Sequence, residues 1–575
     1  MERDSAFRFL FIGGLIVLLY LFGSKLFGGD SSLVAQPLRR ETVAVSPLGA
    51  GERLCDLRSA DFHATLSSKG ASLKHFALIA PKYVKYGKAQ ELSTTPDVPL
   101  RQQLAFLWRN EGAKRKDIPW QLDFDLVNYE LVRATDKECV FHYKDANVEL
   151  TRTVRVTGNP YELEAAATIK NLASDKRMHA LTIHTVAWRT KSEVAGHMFS
   201  VSPFVTHVEC IDKAGTAVRL LDQDFEPEKF TGEGFVETPV NPGDWRQIPG
   251  QPDIAAVSNA YFSHALIPRT SPAVPVCQLQ IEERWDASRH TKASDDPQSG
   301  AMYRARLAYP PQVLTPGQEQ MYSVLTYVGP KDRTALSQVG GGHHHVDELI
   351  DLGFFSVIAK VLVAFLLKVY SIIPNWGVAI IVLTITARTL LFPLSVPSIK
   401  SMMKMRELKP ELDELNVKYK DDPQAKGLAQ MELWRKHKVN PLKGCLPQLA
   451  SMPVWFALYT TLQTAVELYN IPFLWFPDLS QPDPYFILPL IIGLTSFVQQ
   501  KLMPMQAGDP AQQKMMLYFM PAMFTVFMLF LPAGLGVYMF TNSVLGILQQ
   551  QAVESHVRRT AQNAASKAIE VKIKA

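Results

Sequence analysis

Residues 376–394 read WGVAIIVLTITARTLLFPL, an apolar run that contains a single charged residue, Arg388. A helix rises about 1.5 Å per residue, so about 20 apolar residues cross a bilayer core about 30 Å thick. The run is therefore predicted to be a transmembrane helix, and the chain is predicted to be an integral membrane protein.

Further apolar stretches follow this span. Four of them are long enough to be predicted as transmembrane helices: 445–466, 485–502, 515–531 and 535–553. A stretch before it, 354–373, has apolar residues at helical spacing but is interrupted by Lys360 and Lys368. Length alone does not decide whether that stretch crosses the membrane or lies on its surface.

The distribution of basic residues sets the orientation of these spans. The loop 395–444 carries 11 lysines and arginines, whereas the loop 467–484 carries none. Cytoplasmic loops are enriched in Lys and Arg, so the loop 395–444 and the basic tail 555–575 are predicted to be cytoplasmic. A crossing at 354–373 would invert this arrangement. Residues 353–373 are therefore predicted to form an amphipathic helix on the outer interface.

The N-terminal residues 1–28 contain a separate apolar run, FLFIGGLIVLLYLFG (9–23), between Arg8 and Lys25. It is either a retained transmembrane anchor, extended by its basic flanks, or a cleaved signal peptide. No small-residue cleavage site follows it directly, which favours the anchor. The chain then has six spans, five of them in a core 374–554, and both termini in the cytoplasm.

Between anchor and core, residues 43–335 alternate short β-type runs with Gly, Pro, Asn and Asp. Examples are FHATLSS (62–68), ECVFHYK (138–144) and MYSVLTYVG (321–329). Many short strands separated by turn residues predict an all-β sandwich. Because this domain follows an anchor whose start is cytoplasmic, it is predicted to be exported.

Two linkers are predicted to flank the β domain, 29–42 and 336–352. The second contains GGGHHH (340–345), which is interpreted as a solvated linker rather than a weak metal site. No catalytic motif is recognised in the domain, and no cofactor or metal is predicted. Its histidines are interpreted as structural or solvent-facing: His63, His75, His142, His184 and His207.

Charge and cysteine content limit the classes of function. The net charge of +5 is too small to indicate nucleic acid as the main partner. The cysteines of the β domain form no CxxC pair or Cys/His cluster, so a zinc site is not expected. Two disulfides and four buried thiols are both consistent with their pattern: Cys55, Cys139, Cys210 and Cys277.

The cytoplasmic segment 396–440 is predicted to form a helical hairpin. A turn at 421–423 precedes a returning helix at 424–438. The Lys-rich exterior suits contact with ribosomal RNA or anionic lipid, although a solvated connector has the same pattern. The first arm has apolar residues spaced by three and four, as in a coiled coil: Met405, Leu408, Leu412, Leu415 and Tyr419.

Arg388 is the most costly residue of the predicted spans, since none of the five core spans contains an acidic residue to pair with it. An arginine at the centre of a span costs about 2.5–3.5 kcal/mol. This one lies about 12 Å from the cytoplasmic face of a core about 30 Å thick. We expect it to face a water-filled groove; the alternative is a side chain that reaches the headgroups by itself.

Polar residues of several spans are candidates for lining the same groove: Thr384, Gln448, Ser451, Gln499, Gln500, Thr525, Asn542 and Ser543. Each alone is also typical of helix packing. Methionine is dense in these spans, and flexible Met surfaces suit many apolar partners. For any single Met, ordinary packing is the simpler interpretation.

Segments of the core closely resemble the YidC-type membrane protein insertases of Gram-negative bacteria, members of the YidC/Oxa/Alb family. The resemblance covers 352–554 and rests on five segments: PNWGVAIIVLTITARTLLFPL (374–394), KVNPLKGCLPQLASMPVWFALYTTL (438–462), DPYFILPLIIG (483–493), DPAQQKMM (509–516) and FMPAMFTVFMLFLPAGLGVY (519–538). The β domain resembles the family's periplasmic supersandwich more loosely, through NPYELEAAATIKNLA (159–173), NAYFSHALIP (259–268) and YVGPK (327–331).

The resemblance implies an inner-membrane insertase and chaperone with six transmembrane helices, a periplasmic all-β supersandwich and a cytosolic helical hairpin. It implies a substrate-binding groove formed by Arg388, Thr384, Gln448, Ser451, Thr525, Tyr538 and Asn542. It also implies a hydrophobic slide for substrate helices on the spans 445–466 and 515–531, with Met452, Trp455, Phe456, Met520, Phe524 and Met528. Two positions depart from some family members, Ser451 where Gln occurs and Met539 where a second Tyr occurs.

The partners that the resemblance implies are nascent inner-membrane proteins as substrates, the Sec translocon and its accessory proteins, and the ribosome or targeting factors at the hairpin and tail. Anionic lipids are a further expected partner. A secondary transporter is the main alternative, but the spans lack the carboxylates or histidines that couple ions. An intramembrane protease would need a nucleophile and base, an Asp pair or HExxH, which the spans also lack. The sequence therefore predicts a protein that is not an enzyme.

Overall fold

The computed structural model describes residues 36–37, 44–47, 51–85, 87–93, 102–109, 117–194, 205–221, 245–285, 300–419, 422–437, 439, 442–502 and 515–574. The predicted N-terminal anchor lies outside these residues. The predicted linker 29–42 also lies outside them, apart from the two residues Gln36–Pro37.

Within the described ranges the N-terminal domain is built almost entirely of β-strands. They are β1 Gln36–Pro37, β2 Leu54–Arg58, β3 Phe62–Ser67, β4 Ser72–Leu78, β5 Val84–Lys85, β6 Lys88–Glu91, β7 Ala105–Leu107, β8 Glu130–Ala134, β9 Glu138–Lys144, β10 Val148–Val156, β11 Glu162–Asn171, β12 Arg177–Thr190, β13 His207–Asp212, β14 Ala217–Leu220, β15 Arg246–Ile248, β16 Pro252–Ser258, β17 Phe262–Pro268, β18 Val276–Trp285, β19 Gly300–Leu314 and β20 Glu319–Pro330. Strands β3, β9 and β20 coincide with runs that the sequence predicted, and the all-β domain is confirmed.

The described strands form three sheets. The largest has the order β14-β13-β16-β17-β20-β11-β10-β9-β8, the second β1-β18-β19-β12-β7 with β15 paired to β18, and the third β2-β3-β4-β6-β5. In β10, Val148, Leu150 and Val154 are buried. The residues at every second position between and after them are at least partly exposed, as the alternation of side chains along a strand requires. The first two sheets pack face to face around one shared apolar core.

Two disulfides join these sheets. Cys55 of β2 is bonded to Cys139 of β9, and Cys210 of β13 is bonded to Cys277 of β18. The first bond links the five-stranded sheet to the largest sheet, and the second links the largest sheet to the remaining one. Of the two arrangements that the sequence allowed, the structure therefore has the disulfides, which stabilise the packing by restricting the unfolded chain.

Segment 336–352 is not the solvated linker that the sequence predicted. Val339 and Leu349 are fully buried, and His344 Nδ1 lies 2.8 Å from Asp253 Oδ1 of β16. The prediction failed because the apolar residues on either side of the Gly and His run are widely spaced and form no recognisable pattern. It also failed because Asp253, the partner of His344, is distant in the sequence. In the described part of the chain no group of three or more potential metal ligands is found.

The histidines of the β domain divide into buried and surface side chains. His184 is buried, whereas His75 is exposed. Two histidines outside the predicted set are also buried, and burial lowers the pKa of His264 to about 3 and that of His179 to about 4. These two rings are therefore neutral at pH 7 and serve the packing of the domain.

The described helices follow the β domain with one exception. They are α1 Lys191–Val194, α2 Arg333–Leu336, α3 Ser356–Ile372, α4 Trp376–Glu407, α5 Lys409–Lys418, α6 Pro423–Lys436, α7 Leu442–Thr464, α8 Ile487–Leu502, α9 Met520–Met528 and α10 Ala533–Lys574, with a π turn at Met515–Phe519. By length and composition α4 is the one described helix able to cross a membrane, while α8 and residues 517–528 are shorter apolar helices.

Several helix ends differ from the predicted spans. Helix α4 continues past Leu394 through Pro397 to Glu407, and the predicted span 515–531 is a π turn followed by the short α9. Helix α10 contains both the predicted last span and most of the predicted tail. The prediction ended each helix where its apolar run ends, but a helix does not have to end where the hydrocarbon does.

Helices α5 and α6 lie antiparallel. His437 Nε2 at the end of α6 is 3.4 Å from Glu411 Oε2 near the start of α5, and Gln430 Nε2 donates to Asn416 Oδ1 at 3.1 Å. A small apolar cluster separate from the main core lies here, formed by Met405, Leu408, Leu412, Leu433 and Val439. The first three of these residues belong to the predicted coiled-coil seam.

Helix α3 has apolar residues on two sides. Leu362 and Leu366 are buried where α3 packs on α7. On the other side Val357 and Val361 are exposed, and Phe354, just before the helix, is 94% exposed. The helix therefore presents one apolar surface to the core and a second one outward.

The α7–α8 loop, residues 465–486, docks onto the β domain. The ring of Tyr469 lies 6.2 Å from the ring of Tyr83 and 5.3 Å from that of Tyr261, and its hydroxyl donates to Gln90 Oε1 at 3.2 Å. Both contacted rings belong to the β domain, so one loop side chain anchors the helices to it.

Charged and backbone contacts extend this docking. Arg333 Nη1 lies 2.6 Å from Glu467 Oε1, whose residue is almost fully buried, and Asn470 Nδ2 donates to the Lys82 main-chain oxygen at 3.1 Å. The same loop accepts a bond of 2.8 Å from the Ala533 N–H at the start of α10. The α7–α8 loop therefore contacts both the β domain and the first turn of α10.

Replacing Tyr469 by Ala is expected to weaken this docking, because a half-buried aromatic ring and one hydrogen bond are lost. We expect the free energy of unfolding to fall by about 2 kcal/mol, below the value for a fully buried ring. Thermal unfolding of the full chain in detergent measures this. The control is Tyr485→Ala in the same loop, whose residue is 65% exposed; equal losses in the two variants would contradict the prediction.

Candidate functional site

Arg388 lies on the side of α4 that contacts α10. Its Nε donates to Asn542 Oδ1 at 2.6 Å, and its Nη2 donates to the Asn542 main-chain oxygen at 2.9 Å. Neither acceptor carries a charge, and no carboxylate of the described residues pairs with this guanidinium. The arginine is therefore hydrogen bonded but not neutralised.

Three further residues complete what we call the Arg388 cluster: Gly546 and Gln549 of α10 and Gln499 of α8. A methyl group at Gly546 would lie 3.1 Å from Arg388 Nη2 and 3.3 Å from Gln499 Nε2. Gln549 Nε2 donates to the Arg388 main-chain oxygen at 3.3 Å. Three helices, α4, α8 and α10, therefore converge on one polar cluster, with Asn542 as its fifth member.

Thr384 and Tyr538 lie one turn before Arg388 and Asn542 on their respective helices. Thr384 is fully buried and its hydroxyl donates to the Ile380 main-chain oxygen at 2.7 Å. Tyr538 is also buried. In this structure the two predicted groove residues are buried one turn away from the cluster, rather than lining an open surface.

Thr525 marks a different contact. Its hydroxyl donates to the Pro521 main-chain oxygen at 2.8 Å, and it packs directly on Gly493 of α8, where an added methyl group would overlap Thr525 Oγ1. Thr525 therefore fixes the close approach of α9 to α8. The structure describes the backbone of α7 at Gln448 and Ser451, but the side chains of these two predicted groove residues lie outside the described part.

The predicted slide residues differ in their exposure. Met528 is buried, so it packs in the interior instead of presenting a surface to substrate. Trp455 Nε1 donates to Met539 Sδ of α10 at 3.1 Å, and Phe456 stacks on Phe355. The remaining members are half-buried: Met452, Trp455, Phe456, Met520 and Phe524.

Two members of the Arg388 cluster were missed by the sequence analysis, Gly546 and Gln549. A glycine inside a helix signals a close approach by a neighbouring group, and Gly546 at four residues from Asn542 lies on the same helix face. That spacing was available in the sequence. The identity of the approaching group was not, because Arg388 is more than a hundred residues away along the chain.

Two family models match the chain. The model described as the YidC periplasmic domain matches residues 55–365, and the model described as 60Kd inner membrane protein matches residues 368–560. Together they cover the β domain and most of the helical core.

Curated relatives are named membrane protein insertase YidC. That of Anaeromyxobacter dehalogenans is 37% identical over 529 residues, which cover 90% of this chain and 88% of the relative. That of Shewanella halifaxensis is 46% identical over 242 residues, 42% of this chain and 44% of the relative. A solved structure of an active YidC insertase with its first transmembrane domain resolved is 16% identical, with coverage of 94% and 98% and a TM-score of 0.36.

Replacing Gly493 by Ala is expected to push α8 and α9 apart, because the added methyl group overlaps Thr525 Oγ1. Overpacking of this kind costs about 1–3 kcal/mol, to be measured by thermal unfolding in detergent. The double variant Gly493→Ala/Thr525→Ala removes the overlapping atom and should recover most of the loss. The matched control is Gly427→Ala, a helix glycine with nothing within 4 Å; no recovery in the double variant would assign the loss to another cause.

Proposed function

The chain belongs to the YidC family of membrane protein insertases, and we propose that its Arg388 cluster receives the polar segment of a client protein during insertion. The observation that carries the proposal is the guanidinium of Arg388 on an apolar helix, bonded to the neutral acceptors of Asn542. Its charge is stabilised but not cancelled, so it stays available to attract an acidic or polar segment.

The energetics of insertion explain why such a charge is useful. A polar segment that enters hydrocarbon loses its bonds to water, at a cost of several kcal/mol per unsatisfied group. A groove hydrated from the cytoplasm shortens the apolar path that the client's polar segment must cross. Arg388 binds this segment partway along that path. Burial of the client's apolar helix in lipid, at about 25 cal/mol per Å², then drives its release.

The client's apolar helix leaves along the hydrophobic slide of α7 and α9 in this proposal. The half-buried side chains of Trp455, Phe456 and Phe524 support it, since they offer apolar surface that the core does not fully enclose. Methionines beside them, Met452 and Met520, add flexible surface suited to clients of different shape.

The chain is an inner-membrane protein with a periplasmic β domain, and we propose six spans with both termini in the cytoplasm. The basic residues of α5 and α6 support a cytoplasmic hairpin in this proposal. The outward apolar side of α3, which includes Val357 and Val361, lies on the periplasmic interface of the bilayer.

The proposed partners follow from this topology. Nascent inner-membrane proteins are the clients, alone or delivered by the Sec translocon and its accessory proteins. The ribosome, targeting factors and anionic lipids meet the basic hairpin and tail. Relatives are named as insertases and no chemical step is part of the proposal, so the protein acts by lowering a barrier to transfer between water and lipid.

Arg388→Ala is expected to slow insertion of a small client with an acidic exported tail about tenfold, the factor that corresponds to about 1.4 kcal/mol. The measurement is protease protection of the client tail in cells depleted of the native protein and complemented with each variant. Arg388→Lys retains the charge and should keep most of the activity.

Two controls make this test decisive. The same client with neutral residues in its tail should be inserted at similar rates by wild type and Arg388→Ala. If Arg388→Ala inserts the acidic tail as fast as wild type, the charged-site proposal is wrong for that client. If wild type itself restores no insertion, substrate-driven ion flux should be measured, because a transporter function would then have to be considered.

The topology is tested with two exposed positions in a Cys445→Ala background. Leu474 in the α7–α8 loop is 73% exposed and Val417 in α5 is 79% exposed. In intact spheroplasts a membrane-impermeant maleimide should label Leu474→Cys at once, and Val417→Cys only after permeabilisation. Labelling of both in intact spheroplasts would refute a cytoplasmic hairpin.

A further inference from the structure

The bonds within the Arg388 cluster are directional. A guanidinium has five N–H donors, and Arg388 uses Nε and one N–H of Nη2 on a single partner, Asn542. Both bonds lie along one edge of the group. The opposite edge, formed by Nη1 and the second N–H of Nη2, makes no hydrogen bond within the described residues.

That second edge is not sealed inside the protein. Buried donors that lack a partner in the described chain include Nε and Nη1 of Arg152 and Nη2 of Arg333, but no nitrogen of Arg388. The Nη1 group of Arg388, which makes no hydrogen bond within the described residues, is therefore not fully enclosed by them. Carboxylates bind arginine with two parallel N–H···O bonds, and an open end is the geometry that they require.

The chemical nature of the partner matters as much as its position. Asn542 offers a neutral amide oxygen where an aspartate of nearly the same shape would fit, and an aspartate would cancel the charge of Arg388. Gly546 one turn later leaves room for the guanidinium, since any larger residue would press on Nη2. The site therefore orients the guanidinium of Arg388 without neutralising its charge.

We propose that Asn542 is a positioning residue, assisted by Gly546, that holds one edge of Arg388 and presents the other edge to a carboxylate of the client's polar segment. Asn542 then acts through Arg388, because its side-chain oxygen and its main-chain oxygen both accept hydrogen bonds from that residue. This inference rests on the proposed function of Arg388 and names the client group, an aspartate or glutamate side chain, that the cluster binds.

The test compares two clients that differ only in their exported tail, one with acidic residues and one with the matching amides. The ratio of their insertion rates, acidic to neutral, is measured by protease protection in depleted cells. We expect Asn542→Asp to lower the rate for the acidic client about tenfold, because the aspartate cancels the charge of Arg388 that attracts the client carboxylate. The insertion rate of the neutral client should change by less than about twofold. Asn542→Ala and Gly546→Ala should lower the ratio by a smaller factor.

The double variant Arg388→Ala/Asn542→Asp separates positioning from a general role in packing. If Asn542 acts through Arg388, the double variant should insert the acidic client at the rate of Arg388→Ala alone. Equal slowing of both clients by Asn542→Asp, or a further loss in the double variant, would overturn the inference. Should Asn542→Asp fail to accumulate in the membrane, the ratio for Asn542→Ala decides, and an unchanged ratio would refute the proposal.

Failure of the two proposals is distinguishable. If Arg388→Ala leaves the ratio unchanged, the charged-site function itself is wrong. If Arg388→Ala lowers the ratio and the Asn542 variants do not, only the positioning role is wrong.

Discussion

A positive charge within a membrane-spanning helix must be hydrogen bonded, and here it must stay charged as well. The guanidinium of Arg388 meets both conditions through Asn542, whose two oxygens offset part of a cost of about 2.5–3.5 kcal/mol. The contact fixes where α10 crosses α4, and it requires the small Gly546 one turn later, where α8 brings Gln499 to the same point. Three helices therefore meet at one half-buried cation and its neutral acceptors.

The β domain is joined to these helices by contacts of a different kind. Arg333 and Glu467 neutralise each other at 2.6 Å, and Tyr469 inserts its ring among the tyrosines of the β domain. The loop that carries Glu467 and Tyr469 also binds the backbone at the start of α10, where Ala533 donates to Gln481. Helix α10 is thus held at its first turn by the docked loop and further along by Arg388.

The sequence predicted what depends on local pattern and missed what depends on distant partners. Strands such as β9 and β20 followed from alternation and turn residues, and the apolar run around Arg388 predicted a spanning helix. Segment 336–352 was wrongly predicted as a linker because its apolar residues and His344 find their partners far away in the chain. Met528 belongs to the slide that the resemblance implies, but a matching motif does not show whether lipid, client or another helix covers a given side chain, and Met528 is buried.

Three arginines show that neither an unused donor nor a charge alone identifies a binding site. Arg152, in the core of the β domain, lies over the ring of Phe106, donates to a main-chain oxygen, and has its pKa lowered to about 9 by burial, but its unused donors are enclosed. Arg333 is neutralised by Glu467 and so has no net charge to offer. Arg388 combines an uncancelled charge with an edge that is neither bonded nor enclosed within the described chain. A ligand needs both features, because an enclosed charge is out of reach and a neutralised one gives no attraction.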